Sequence, residues 1–159
     1  MSSDAAEPFD AESVRRKAES LKHLEGALMP ILQALQADHG YIDERAVPIV
    51  ADVLNLTRAE VHGVVSFYHD FRRAPAGLHV VKLCRAEACQ AAGGDNLADH
   101  VERRLGVPVG ETAADGSVTV DAVYCLGLCA VAPAAMFDGR LVGRLDKTRV
   151  DVLLDDLSK

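Results

Sequence analysis

Four cysteines constrain this chain more than any other feature. Cys84, Cys89, Cys125 and Cys129 form a C-x4-C pair and a C-x3-C pair separated by 35 residues. If all four thiols serve one purpose, the fold must bring two distant loops to one place. The second loop, Cys125 to Pro133, is uncharged, and Gly127 permits a backbone turn around a sulfur. A [2Fe-2S] cluster needs four thiolates, two per iron, with amide donors and an apolar shell to set its potential. A structural zinc site also takes four thiolates, although its knuckles are usually C-x2-C. Four free core cysteines are the bland reading, and two close pairs argue against it. A disulfide-exchange pair needs C-x-x-C, which is absent.

Composition narrows the remaining classes. Lysine plus arginine total 17 against 24 aspartate plus glutamate, for a net charge of −7, and 49% of residues are hydrophobic. Such a chain can bury a core, but it lacks the cationic surface that nucleic-acid binding requires, so no nucleic-acid partner is expected. The longest uncharged apolar stretch, Ala122 to Phe137, is too short for a bilayer and contains Pro133, so no membrane insertion is expected. Met1 to Asp10 has no apolar leader core. The expected setting is cytoplasmic, where cysteines are seldom selected as disulfides.

Residues 1–10 read as a disordered tail and 11–76 as a helical bundle. Apolar residues recur at helical spacing from Val14 to Leu35, with Pro30 marking a kink or the first turn of a second helix. Gly40 is a natural helix stop. Asp43 to Leu54 reads as a helix with Val47, Val50, Val53 and Leu54 inward. Thr57-Arg58-Ala59-Glu60 fits a capping box for another, running to about Phe67. After Ala74-Pro75-Ala76-Gly77 the pattern changes. Leu78 to Cys84 reads as a buried strand and Asp95 to Leu105 as an amphipathic helix. Ser117 to Cys125 alternates as a strand, with Val118, Val120 and Ala122 on one side and Thr119 and Asp121 on the other. Asp138-Gly139 signals a hairpin, and Asp146 to Leu157 a final helix. Residues 77–159 thus form a compact α/β unit, and each cysteine pair falls where a strand runs into a loop.

The cysteine pattern, with C-L-G-x-C-x3-P in its second half, resembles the thioredoxin-like [2Fe-2S] subunit family of NADH:quinone oxidoreductase, complex I. His39-Gly40-Tyr41-Ile42, Val61 to Tyr68 and Pro75-x-Gly77-x-His79 match as well. Within that superfamily, Tyr68-His69-Asp70-Phe71-Arg72 and Cys84-Arg85-Ala86-Glu87-Ala88-Cys89-Gln90-Ala91 look most like the gamma subunit of NAD-dependent, molybdenum-containing formate dehydrogenases. The resemblance implies an α+β fold, an N-terminal helical bundle followed by a thioredoxin-like ferredoxin domain. It implies that Cys84 and Cys89 ligate one iron and Cys125 and Cys129 the other. It further implies an electron-transfer subunit of an NAD-dependent formate dehydrogenase, with no active site of its own, exchanging single electrons with the FMN of a partner. The same role in complex I or in an NAD-reducing hydrogenase is the alternative, and a zinc-stabilised adaptor is the remote one. FMN, the NAD(H) site and the molybdenum cofactor would sit on partners: a flavoprotein subunit and a larger molybdenum- and iron–sulfur-containing subunit. In keeping with this, the chain has no G-x-G-x-x-G after a strand and no phosphate-binding Gly-Lys-Ser/Thr loop. The six histidines are scattered and are expected to be structural or superficial. Thioredoxin-like folds place a cis proline beside their cysteines; the sequence alone leaves the isomer of Pro133 open.

Overall fold

The computed structural model describes residues 9–157. The chain separates into two compact units, Met1–Pro75 and Ala76–Lys159.

Among the described residues the first unit is built from four helices. In α1 (Ala11–Leu21), the Asp10 carboxylate accepts from the amides of Glu12 and Ser13, which would otherwise be orphaned at the helix start. Phe9 packs against the core and lies 4.4 Å beneath the Arg45 guanidinium. The expected tail therefore lies outside the described residues only as far as residue 8, and Phe9 and Asp10 belong to the fold. Pro30 occupies the first turn of α2 (Leu28–His39), where its missing N–H costs nothing. The helix stops at Gly40, which is left-handed at φ 78°. The next helix, α3 (Ala46–Leu54), begins three residues later than the sequence suggests, because Asp43 instead receives the amide and guanidinium of Arg45. Its buried residues are Ala46, Val50 and Ala51, while Val47, Val53 and Leu54 pack at the margin of the core. The Thr57–Glu60 capping box opens α4 (Arg58–Phe67), as its residues predict. The Gln36 side chain closes the unit, donating to the carbonyl of Asp70 and accepting from the amide of Arg72, both at 2.7 Å.

The second unit is a five-stranded sheet with helices. Its strands are β1 (His79–Cys84), β2 (Glu111–Thr112), β3 (Val118–Val123), β4 (Ala135–Phe137) and β5 (Arg140–Val142), in the order β2-β3-β1-β4-β5. Only β1 and β3 are parallel, so a crossover must join them; it contains α5 (Glu87–Ala91) and α6 (Gly94–Leu105). Hairpin β4–β5 turns at Asp138 and Gly139, both left-handed, and α7 (Lys147–Leu157) ends the described chain. Val81, Leu83, Val101, Val120, Phe137, Val150 and Leu154 lie at the centre of the core.

Three expectations for this unit need correction. Leu78 is not part of the buried strand and is 81% exposed, because pairing with β3 starts at His79. In β3 both faces are covered at the start: Val118 and Val120 enter the core, Thr119 is buried on the opposite face, and Ala122 is exposed. Thr119 is tolerated inside because its hydroxyl meets that of Thr112 at 2.8 Å and accepts from the Gly77 amide at 2.7 Å. Finally, the strand ends at Val123, which leaves Tyr124 and Cys125 in a loop.

Candidate iron–sulfur centre

Sheet register places the first pair of thiols beside the second. Cys84 ends β1 directly opposite Val123, the last residue of the parallel strand β3. The loop carrying Cys125 therefore leaves the sheet next to Cys84. Two further bonds continue the ladder beyond the strands: the Cys84 amide donates to the carbonyl of Ala134, and the Arg85 amide donates to that of Val123. Cys89 does not lie in a loop. It sits in the short helix α5, whose first turn brings its amide to the carbonyl of Ala86 and its side chain back toward Cys84. Five residues is too short for a stable isolated helix, and the sequence offers no periodicity from which to read it.

The second pair is held by an unusual backbone. Cys125 is left-handed at φ 117° and Gly127 at φ 75°. This path lets the Gly127 amide donate to Cys125 Sγ at 3.3 Å and sets Cys125 Sγ 3.8 Å from Cys129 Sγ. Cys129 opens a single 3-10 turn through Val131, and the Ala132–Pro133 peptide that follows is cis.

Cys84 and Cys89 are buried, whereas Cys125 and Cys129 are exposed. Ala134 packs with the buried pair, and Ala86, Val123, Leu126, Leu128 and Ala132 pack around them as an apolar surround. Burial pushes the Cys84 thiol up, but donors overcome it. The amides of Ala86, Leu126 and Cys125, with the Cys89 thiol, hold Cys84 below the usual thiol value. Burial, then the shared hydrogen bond with Cys84, pushes Cys89 up, against the amide of Ala134. Cys129 is raised chiefly by its hydrogen bond with Cys125 and then by the negative charge there. Leu126 and Leu128 pack against Cys84, Cys89 and Ala134, and Cys84 stands opposite Val123 in the sheet, so the two cysteine loops meet. The thiols form two pairs, Cys84 with Cys89 and Cys125 with Cys129, which is the donor set a two-iron cluster uses.

Residues 14–158 match the family model of the thioredoxin-like [2Fe-2S] ferredoxins. The chain belongs to that family. Members carry one [2Fe-2S] cluster, and the cysteine pairs, amide donors and apolar surround described above fit it. The ferredoxin is 30% identical over 150 residues to an NADH-quinone oxidoreductase subunit of Pseudomonas aeruginosa, covering 94% of this chain and 86% of the relative. It is 32% identical over 136 residues to the HndA subunit of the NADP-reducing hydrogenase of Solidesulfovibrio fructosivorans, covering 86% and 80%. A crystal structure of an NAD+-reducing [NiFe]-hydrogenase contains a similar fold, with TM-score 0.68 at 28% identity over 80% of this chain. The ferredoxin spans only 22% of that hydrogenase chain.

Two of the six histidines pair with carboxylates, His79 with Asp138 and His100 with Asp151, each at 2.8 Å. Among the described residues no helix is long and apolar enough to cross a membrane. Reading residue types missed the amide donors of Ala86, Leu126 and Ala134. Only the Gly127 turn was signalled, because amide direction is a property of backbone path rather than of residue type.

Proposed function

We propose that this ferredoxin is the electron-transfer subunit of an NAD(P)-linked oxidoreductase complex, with Cys84 and Cys89 holding one iron and Cys125 and Cys129 the other. The observation that carries this is the meeting of the two cysteine loops, where Leu126 and Leu128 of the second loop pack against Cys84, Cys89 and Ala134. When bound, the cluster supplies one-electron exchange, which a nicotinamide–flavin couple handling electron pairs needs in order to feed single-electron carriers. The chain's own residues do the rest. Amides of Ala86, Cys125, Leu126, Gly127 and Ala134 stabilise charge on the sulfurs, and Leu126, Leu128 and Val123 restrict water around the buried pair. The exposed Cys125–Cys129 side, with Tyr124 beside it, leaves that pair open to a partner.

NADH, FMN and the substrate belong to partner subunits in this reading, the first of them a flavoprotein. The named relatives favour a complex of the NADH:quinone oxidoreductase or NAD-reducing hydrogenase type as the parent. The segment Cys84-Arg85-Ala86-Glu87-Ala88-Cys89 favours a second reading, the gamma subunit of a cytoplasmic formate dehydrogenase with a molybdenum-containing partner. Two measurements decide. Anaerobically purified chain is expected to hold two irons and two acid-labile sulfides and to bleach with dithionite; one zinc and no sulfide would defeat the cluster assignment. Molybdenum and formate-dependent NAD+ reduction in the affinity-purified complex would select formate dehydrogenase, and their absence beside quinone or hydrogen activity would reject it.

A further inference from the structure

Arg85 follows the first cysteine and is held unusually firmly for a loop arginine. Its amide donates to the Val123 carbonyl at 2.8 Å, and its own carbonyl accepts from the Gln90 side chain at 2.9 Å. Its guanidinium Nη2 lies 3.0 Å from Asp95 at the start of α6. The two partners differ in exposure: the Arg85 side chain is 29% exposed and that of Asp95 is 58%. Water therefore screens the carboxylate more than the cation. The inner nitrogen adds a second observation. Among the described residues, Arg85 Nε is the one buried side-chain nitrogen or oxygen without a hydrogen-bond partner. Buried donors in folded proteins are almost always paired, so an orphan one residue from a cluster ligand calls for a partner.

An anionic iron–sulfur cluster supplies one. We propose that Arg85 is a potential-setting residue of this site, a cation fixed by Asp95, whose buried Nε–H is kept for the bound cluster and its thiolates. The inference rests on the cluster assignment above and goes further in naming what tunes it. Uptake of one electron makes the cluster more negative by one charge, so a fixed cation beside Cys84 stabilises the reduced form more than the oxidised one. Arg85 thereby raises the midpoint potential and makes the ferredoxin a readier acceptor. A lysine would keep the charge but not the Nε donor, and a glutamine would lose the charge.

The test uses the full chain with its cluster, as wild type, Arg85→Gln and Arg85→Lys. Iron and labile sulfide are assayed first, and then the midpoint is read from the reduced-state paramagnetic signal during a dithionite titration. All three proteins are expected to hold two irons. In Arg85→Gln the equilibrium constant for reduction should fall about tenfold, a midpoint about 59 mV more negative. Arg85→Lys should lie between it and wild type. An Arg85→Gln midpoint equal to or above that of wild type would overturn the proposal. Loss of iron from both variants would also overturn it, by assigning Arg85 to assembly. Absence of iron from the wild-type chain would instead defeat the cluster assignment, so the two failures are distinguishable.

Discussion

At the thiols, side chain and backbone divide the work, and substitution can separate them. Cys125→Ala removes a donor that no neighbouring group replaces, whereas Leu126→Ala removes apolar cover but keeps the amide that reaches Cys84. Iron content and the reduced-state paramagnetic signal should collapse for Cys125→Ala and largely survive Leu126→Ala. The half-buried leucine should cost about 1–2 kcal/mol in denaturant unfolding. Near-native signal from both variants would show that Cys125 is not a ligand. Thr119 offers a second case, away from the site. Its hydroxyl accepts from the Gly77 amide, so Thr119→Val leaves that amide and the Thr112 hydroxyl short of a partner. The expected loss is roughly 1–3 kcal/mol, measured as a lower denaturant midpoint at unchanged slope. Period-two alternation puts Thr119 on the side opposite Val118 and Val120. It keeps that side but is buried there, because Gly77 and the two-residue strand β2 lie against it and supply polar partners. A strand that short has no periodicity of its own, so this cover is invisible in the residue types.

Elements whose ends carry chemistry were legible, and elements defined by packing were not. Gly40, the Thr57–Glu60 box and Asp138-Gly139 each mark a boundary through a local mechanism, and each boundary stands where the residues put it. Helix α5 has no such marker and was missed, although it carries Cys89. The box makes a direct prediction: Thr57→Ala should cost about 1 kcal/mol, read from thermal unfolding of the helical unit by circular dichroism. The hairpin makes a pH-dependent one. Asp138 accepts from the Val80 amide and pairs with His79, linking the turn to β1. Burial pushes its carboxyl up, but the Val80 amide and then His79 prevail and hold it below its ordinary value of 3.8. A carboxyl depressed in the folded state contributes stability above the unfolded pKa and loses it as pH falls through the folded one. Asparagine keeps an acceptor and tolerates the left-handed φ of 46°, but it cannot ionise. The advantage of wild type over Asp138→Asn should therefore be full near neutral pH and shrink as pH drops below about 3.8. An advantage that stays constant to pH 2 would remove Asp138 from the acid response.

On the scale of the whole molecule, the chain separates into two units, each with a hydrophobic core of its own. The cysteine spacing announced that two loops had to converge; it could not say that parallel pairing of β1 with β3 would bring them together. That pairing joins residues about 39 apart, from His79↔Val118 to Cys84↔Val123, and no local signal encodes it. All four cysteines, the Gly127 amide that bonds to Cys125 and the apolar surround fall within the second unit. So do the sheet and the helices packed on it, which form one continuous core. A chain comprising residues 76–159 should therefore fold and assemble the cluster without the helical unit. Expressed and purified anaerobically, it is expected to carry two irons and two sulfides, with the same visible bleaching by dithionite as the full chain. Its thermal unfolding should remain a single cooperative transition, because one core serves the whole sheet. A fragment that folds by circular dichroism yet holds no iron, while the full chain holds two, would show that the helical residues take part in assembling the site. In that event the four cysteines and their amides would be an incomplete description of the site.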